Sequence, residues 1–214
     1  MIPVLIIGKS GAGKSASLRN LPKDGTIVIN VLGKPLPFRN RLKTVQCDNY
    51  AMIGKAINKG EYERYVVDDF GYLMTDQFMG ALGAKGKGQD MFAMYADIGL
   101  SVWDFIKALQ RNPSPARVYL MMHEDMDDYG NVKPRTLGKL VDQKVCLEGM
   151  VTICLRAAVN ANGEHVFLTR TNGLDTVKAP MGMFDKAEIE NDLNLVDETI
   201  INYYKEDGNN EKAE

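Results

Sequence analysis

Gly8-Lys9-Ser10-Gly11-Ala12-Gly13-Lys14-Ser15 is the stretch from which the rest of the chain is read. It satisfies G-x-x-x-x-G-K-[ST] at every constrained position, and its surroundings fit as well. A continuous, β-branched apolar run precedes it at residues 2–7, the pattern of a buried strand. A short helical stretch follows at residues 14–21 and stops at Pro22. Glycines let backbone N–H groups turn inward around phosphate oxygens without Cβ clashes. The start of the helix adds donors and partial positive charge. Lys14 is expected to reach the β- and γ-phosphates, and Ser15 to ligate magnesium. ATP and Mg2+ are therefore the expected ligands of residues 8–15.

Further along, residues 26–32 read as a second strand. A loop with Pro35 and Pro37 leads to a helix over residues 49–58. Residues 63–68 form a third buried strand that ends Arg64-Tyr65-Val66-Val67-Asp68-Asp69. An apolar strand ending in an acid, beside a phosphate loop, places Asp68 on the magnesium. Asp69 has two readings, a carboxylate that polarises the attacking water or a cap on the next helix, expected over residues 70–82. The glycine-rich residues 80–88 are expected to be mobile, and residues 90–110 form a long amphipathic helix.

Residues 117–122 read as a fourth strand ending at His123. A polar residue at that sheet edge either senses the γ-phosphate or is satisfied by loop backbone. Residues 124–144 look like a polar turn region with Gly130-Asn131 at its tip and a short helix from Thr136. Its acids are expected to be solvated. Residues 151–158 and 165–171 form a hairpin across residues 160–163. Asp185 and Glu188 have capping-box spacing, ahead of an apolar stripe through Ile189, Leu193, Val196, Ile200 and Tyr203. The pattern describes an α/β fold: a mostly parallel sheet flanked by helices, with an antiparallel edge hairpin. One domain is expected over residues 1–204, followed by a polar, disordered tail at 205–214.

The bulk numbers exclude several classes. The chain has 214 residues, 45% hydrophobic and 25% charged, enough for one sizeable core. Its net charge of -2 supplies no global field for nucleic acid, so any such contact needs a local patch. Three cysteines without C-x-x-C spacing and two histidines argue against structural zinc. The first apolar run is too short for a signal peptide, and no run approaches the ~20 residues of a membrane span. A cytoplasmic protein without a membrane partner is expected.

With these residues placed, the chain resembles the short RecA-like ATPases of bacteriophages, the single-domain annealing and recombination proteins of the Sak group. The marks are GKSGAGKS and VVDDF, supported by the strand ending in His123, KPRTLGKLVDQKVCLEGMVTICLRA, and the late VKAPMGMF. The resemblance implies ATP-dependent action on single-stranded DNA, in a homo-oligomer, in the cytoplasm of a bacterial host. A single-strand-binding protein is a further expected partner. It implies DNA contacts after the fourth strand, here Lys133, Arg135 and Lys139. It also implies that Lys178, in Val177-Lys178-Ala179-Pro180, reaches a neighbour's ATP.

Two features depart from RecA. The sequence opens directly on the phosphate-loop strand, and the proposed DNA loop begins with as many acids as bases. Other readings stay open. One is an AAA-type helicase loader or motor, though that class usually adds a helical lid. Others are a small-molecule or nucleotide kinase, which would want more arginines than Arg135 after the fourth strand, and a non-hydrolysing ATP switch with a protein partner. Lys9 sits where the ParA and MinD partitioning ATPases carry an extra lysine, but Ser10 breaks their glycine pair, so an exposed loop residue is expected. Lys34, Arg39, Arg41 and Lys43 form a second basic cluster, which reads either as a DNA surface or as a solvated face.

Overall fold

The computed structural model describes residues 1–39, 41–85 and 90–210. Its centre is a sheet of nine strands among the described residues. Six of them are parallel: β1 (Ile2–Gly8), β2 (Thr26–Asn30), β3 (Lys43–Gln46), β4 (Arg64–Asp68), β5 (Arg117–Met126) and β7 (Ile153–Val159). They lie in the order β3-β2-β4-β5-β1-β7. β8 (His165–Leu168) and β9 (Glu188–Glu190) continue the edge antiparallel. β6 (Val132–Pro134) pairs antiparallel with the end of β5.

Alternation along the central strands explains the two-sided core. Leu5 and Ile7 face one cluster, which holds α1 (Tyr50–Asn58), α2 (Tyr72–Lys85) and α3 (Met91–Arg111) against the sheet. Val4 and Ile6 face the other, where Leu18, Leu21 and α5 (Leu193–Asn210) pack. A strand covered on both faces must be apolar at every position, hence the unbroken runs of β1, β4 and early β5.

The α/β architecture agrees with the sequence; its details differ in instructive places. The stretch after the phosphate loop is a 3-10 turn, Ser15–Asn20, rather than an α-helix. β3 adds a strand to those expected; it is exposed along its length, and KTVQ carries no buried face to signal it. β5 extends beyond the sheet to Met126 and folds back through β6. Asp127 holds that turn by accepting from Tyr129 N and Asn131 N at 2.9 and 2.8 Å. The capping box at Asp185 and Glu188 does not form. Glu188–Glu190 instead covers the open backbone edge of β8, and Asp192 caps α5 by accepting from Asn194 N at 2.9 Å. α5 runs past Lys205 to Asn210, so the start of the expected tail is helical, while residues 211–214 lie outside the described residues. The glycine-rich stretch divides likewise: residues 80–85 end α2, and 86–89 lie outside the described residues. The short helix expected from Thr136 is α4 (Lys139–Asp142). No described helix is long and apolar enough to cross a membrane.

Candidate nucleotide site

The carboxyl ends of β1, β4 and β5 meet on one side of the sheet. Gly8 closes β1 beside His123 of β5, and Asp68 closes β4 beside Asn30 of β2. Ligands bind at such a sheet edge in open α/β folds. The loop after β1 can leave only through glycine. A Cβ on Gly8 would stand 2.6 Å from the Ala157 carbonyl oxygen. One on Gly13, whose φ is +99°, would meet Asn191 Oδ1 at 2.9 Å and His165 Nδ1 at 3.0 Å.

A cavity of about 700 Å3 opens over this loop. Lys9, Ser10, Gly11, Gly13, Lys14 and Ser15 line its floor, and Asp69 and His123 line one end. Ala12 is buried beneath the loop. Lys14 is nearly buried and folds back on the loop, donating to the Gly8 and Lys9 carbonyl oxygens at 2.7 and 2.9 Å. Burial pushes its ammonium pKa down, with Asp69, Asp68 and Glu124 pulling the other way. An ammonium held on two carbonyls has exchangeable partners that a phosphate can replace.

Ser15 Oγ donates to Asp68 Oδ1 at 3.0 Å. Asp68 is 4% exposed, and burial, then the neighbouring Asp69, pushes its carboxyl above the usual range. A hydroxyl and a carboxylate together, short of a cation, are hard oxygen donors that suit Mg2+. Asp69 sits at φ +62°, a left-handed conformation unusual outside glycine. Its carboxylate pairs with Lys34 at 2.7 Å, while its carbonyl accepts from Tyr72 N at 2.9 Å. His123 meets the Tyr72 ring edge-on, 6.0 Å between centroids. Burial and then the Lys14 charge push its imidazole pKa down.

The remaining expected residues fall elsewhere. Lys133 is held by Asp142 at 2.5 Å. Arg135 is exposed and lines both the nucleotide cavity and an adjoining cleft of about 540 Å3. Lys139 is exposed at the start of α4. Lys178 pairs through its backbone with Cys154, partway down β7, and is absent from the cavity lining.

Sequence reasoning missed four contributors. Glu124, expected in a solvated turn, is buried and holds Arg156 in two hydrogen bonds of 2.7 and 2.8 Å. The signal was an arginine inside the apolar ICLRAAV. Lys34 was legible only as one member of a basic cluster. His165 and the buried Asn191, which close over Gly13, left no local trace.

A solved structure described as a prototypical ATPase from the type III secretion system of pathogenic bacteria is similar at 12% identity and a TM-score of 0.42. The match covers 73% of this chain and 51% of that one, so this chain spans about half its length. No curated protein matches. The family model described as AAA domain matches residues 2–179. The chain therefore belongs to the AAA domain family, as an AAA-type P-loop ATPase domain.

Proposed function

We propose that this protein binds and hydrolyses ATP with Mg2+ and uses the cycle on single-stranded DNA, as a phage-type annealing or recombination ATPase of the Sak kind. One observation carries the ATP half: Lys14, Ser15, Asp69 and His123 converge on one cavity over the phosphate loop, and Ser15 Oγ ties Asp68 to it. Loop N–H groups and Lys14 hold the β- and γ-phosphates. Ser15 and Asp68 would hold the magnesium, which when bound neutralises charge on the phosphate oxygens. Asp69 orients the attacking water and takes its proton. As the water oxygen bonds to the γ-phosphorus, the bond to the β–γ bridging oxygen breaks and its electron pair leaves with ADP. His123 hydrogen-bonds the γ-phosphate.

The DNA half rests on placement. Arg135 lines the nucleotide cavity and the cleft that leads to the β5–β6 hairpin. Tyr129 at the hairpin tip is 87% exposed and free to stack on a base. Lys178 would serve a neighbouring subunit in a homo-oligomer, and a single-strand-binding protein would present the DNA. Residues 1–204 would act as one domain in the host cytoplasm. A second reading, a helicase loader or ATP switch with a protein partner, is favoured by exposed Met79, Leu82, Phe92, Leu100 and Trp103 on α2 and α3.

Phosphate release, measured alone and with single-stranded DNA, double-stranded DNA or a nucleoside monophosphate, separates these readings. Stimulation by single strands is the expected result. Turnover that ignores all three points to the loader or switch.

A further inference from the structure

We infer that Lys34 is a two-position cation: it neutralises Asp69 in the nucleotide-free protein and moves to the γ-phosphate when a triphosphate enters, freeing Asp69. The inference rests on the ATP-binding reading above. Asp68 and Asp69 are adjacent carboxylates, each at least nine-tenths buried; Asp69 lines the cavity end where the γ-phosphate would lie, and Asp68 accepts from Ser15 Oγ beside it. Two such charges need compensation. Lys14 is engaged with loop carbonyls, so Lys34 supplies it, at 2.7 Å from Asp69.

The two ends of Lys34 differ in freedom. Its backbone is fixed, because Asn30 Nδ2 donates to the Lys34 carbonyl oxygen at 2.5 Å at the end of β2. Its side chain is 58% exposed and lines the same cavity as Lys14. A fixed root and a flexible four-carbon stem let the ammonium turn between neighbouring anions without moving the fold. The ion pair with Asp69 raises its pKa, so the group is charged in that position. A triphosphate brings more negative charge than one carboxylate, and a bound Mg2+ compensates Asp68. The balance then favours Lys34 on the phosphate. Diphosphate lacks the γ-oxygens and leaves Lys34 on Asp69.

The test is equilibrium binding by calorimetry, with a non-hydrolysable ATP analogue and with ADP, both with magnesium chloride. Lys34→Met is expected to weaken the triphosphate about tenfold more than ADP, the loss of one charge-assisted contact. Lys34→Arg is expected to keep most of the wild-type ratio. The double variant Lys34→Met/Asp69→Asn removes both charges and guards against a misfolded single variant, with circular dichroism as the check. It should still lack the triphosphate preference. Recovery of the preference would mean that Lys34 only screens Asp69 and would overturn the proposal, as would an unchanged ratio in Lys34→Met. If the wild type binds neither nucleotide, the reading of the loop falls and this proposal with it. If it binds both and every variant keeps its ratio, only the role of Lys34 falls.

Discussion

Lys14 and His123 give the sharpest residue-scale tests. Lys14→Ala removes the loop's one buried ammonium and keeps its backbone, so the fold should survive while ATP turnover is lost. Phosphate release and circular dichroism on the same sample check this; normal turnover in a folded variant would sink the assignment. His123 has its folded pKa lowered by burial and by Lys14. As pH falls below about 6.5, the unfolded chain takes up that proton first, so the histidine's contribution to stability is present above this value and lost below it. His123→Gln should therefore lose less stability than wild type between roughly pH 7 and 5. Urea midpoints across that range measure the difference, and identical slopes would refute the shift.

At the scale of elements, the β5–β6 hairpin and α4 carry the proposed DNA contacts. Lys133, Arg135 and Lys139 do not form one free patch. The Lys133 ammonium is neutralised by Asp142, whereas Arg135 and Lys139 are exposed. Each lost phosphate contact on a single strand lowers the salt slope of binding by about 0.7. Arg135→Ala with Lys139→Ala should flatten it by roughly 1.4, and adding Lys133→Ala should change it less than either. Fluorescence anisotropy of a labelled oligonucleotide over a salt series, with a non-hydrolysable ATP analogue, reads this out. A triple variant that binds like the parent at every salt concentration would move the DNA site elsewhere.

For the whole molecule, one buried network fastens α5 to the sheet. Asp197, 1% exposed, accepts from Arg117 Nε at 2.7 Å and Nη2 at 2.9 Å, from Arg64 Nη1 at 3.2 Å, and from Tyr119 Oη at 2.5 Å. Removing it leaves two arginines buried with less compensation. Asp197→Ala should cost roughly 3–5 kcal/mol, the usual scale for breaking a buried pair. This network lies at the amino ends of β4 and β5, opposite the nucleotide cavity. Nucleotide affinity of the folded fraction should thus be unchanged. Urea denaturation beside nucleotide titration tests both halves, and a loss under about 1 kcal/mol would reduce the network to a surface pair.

Sequence by itself determined what depends on contiguous residues. The phosphate loop, the acid closing VVDD and the continuous apolar strands are local patterns, because backbone geometry and two-sided burial act within one segment. The starts of the helices expected at residues 49 and 90 follow for the same reason, and the structure shows Asn49 and Asp90 capping them. Tertiary structure decided what depends on partners distant in the chain. Glu188–Glu190 is a strand because β8 has an open edge to satisfy, which outweighs a local capping box. Glu124 is buried because Arg156, on a strand beyond β1, is there to pair with it. Lys34 entered the site, and Lys133 was tied to Asp142, through contacts that spacing along the chain does not encode. A side chain's neighbours set its charge balance, and those neighbours are chosen by the order of strands in the sheet.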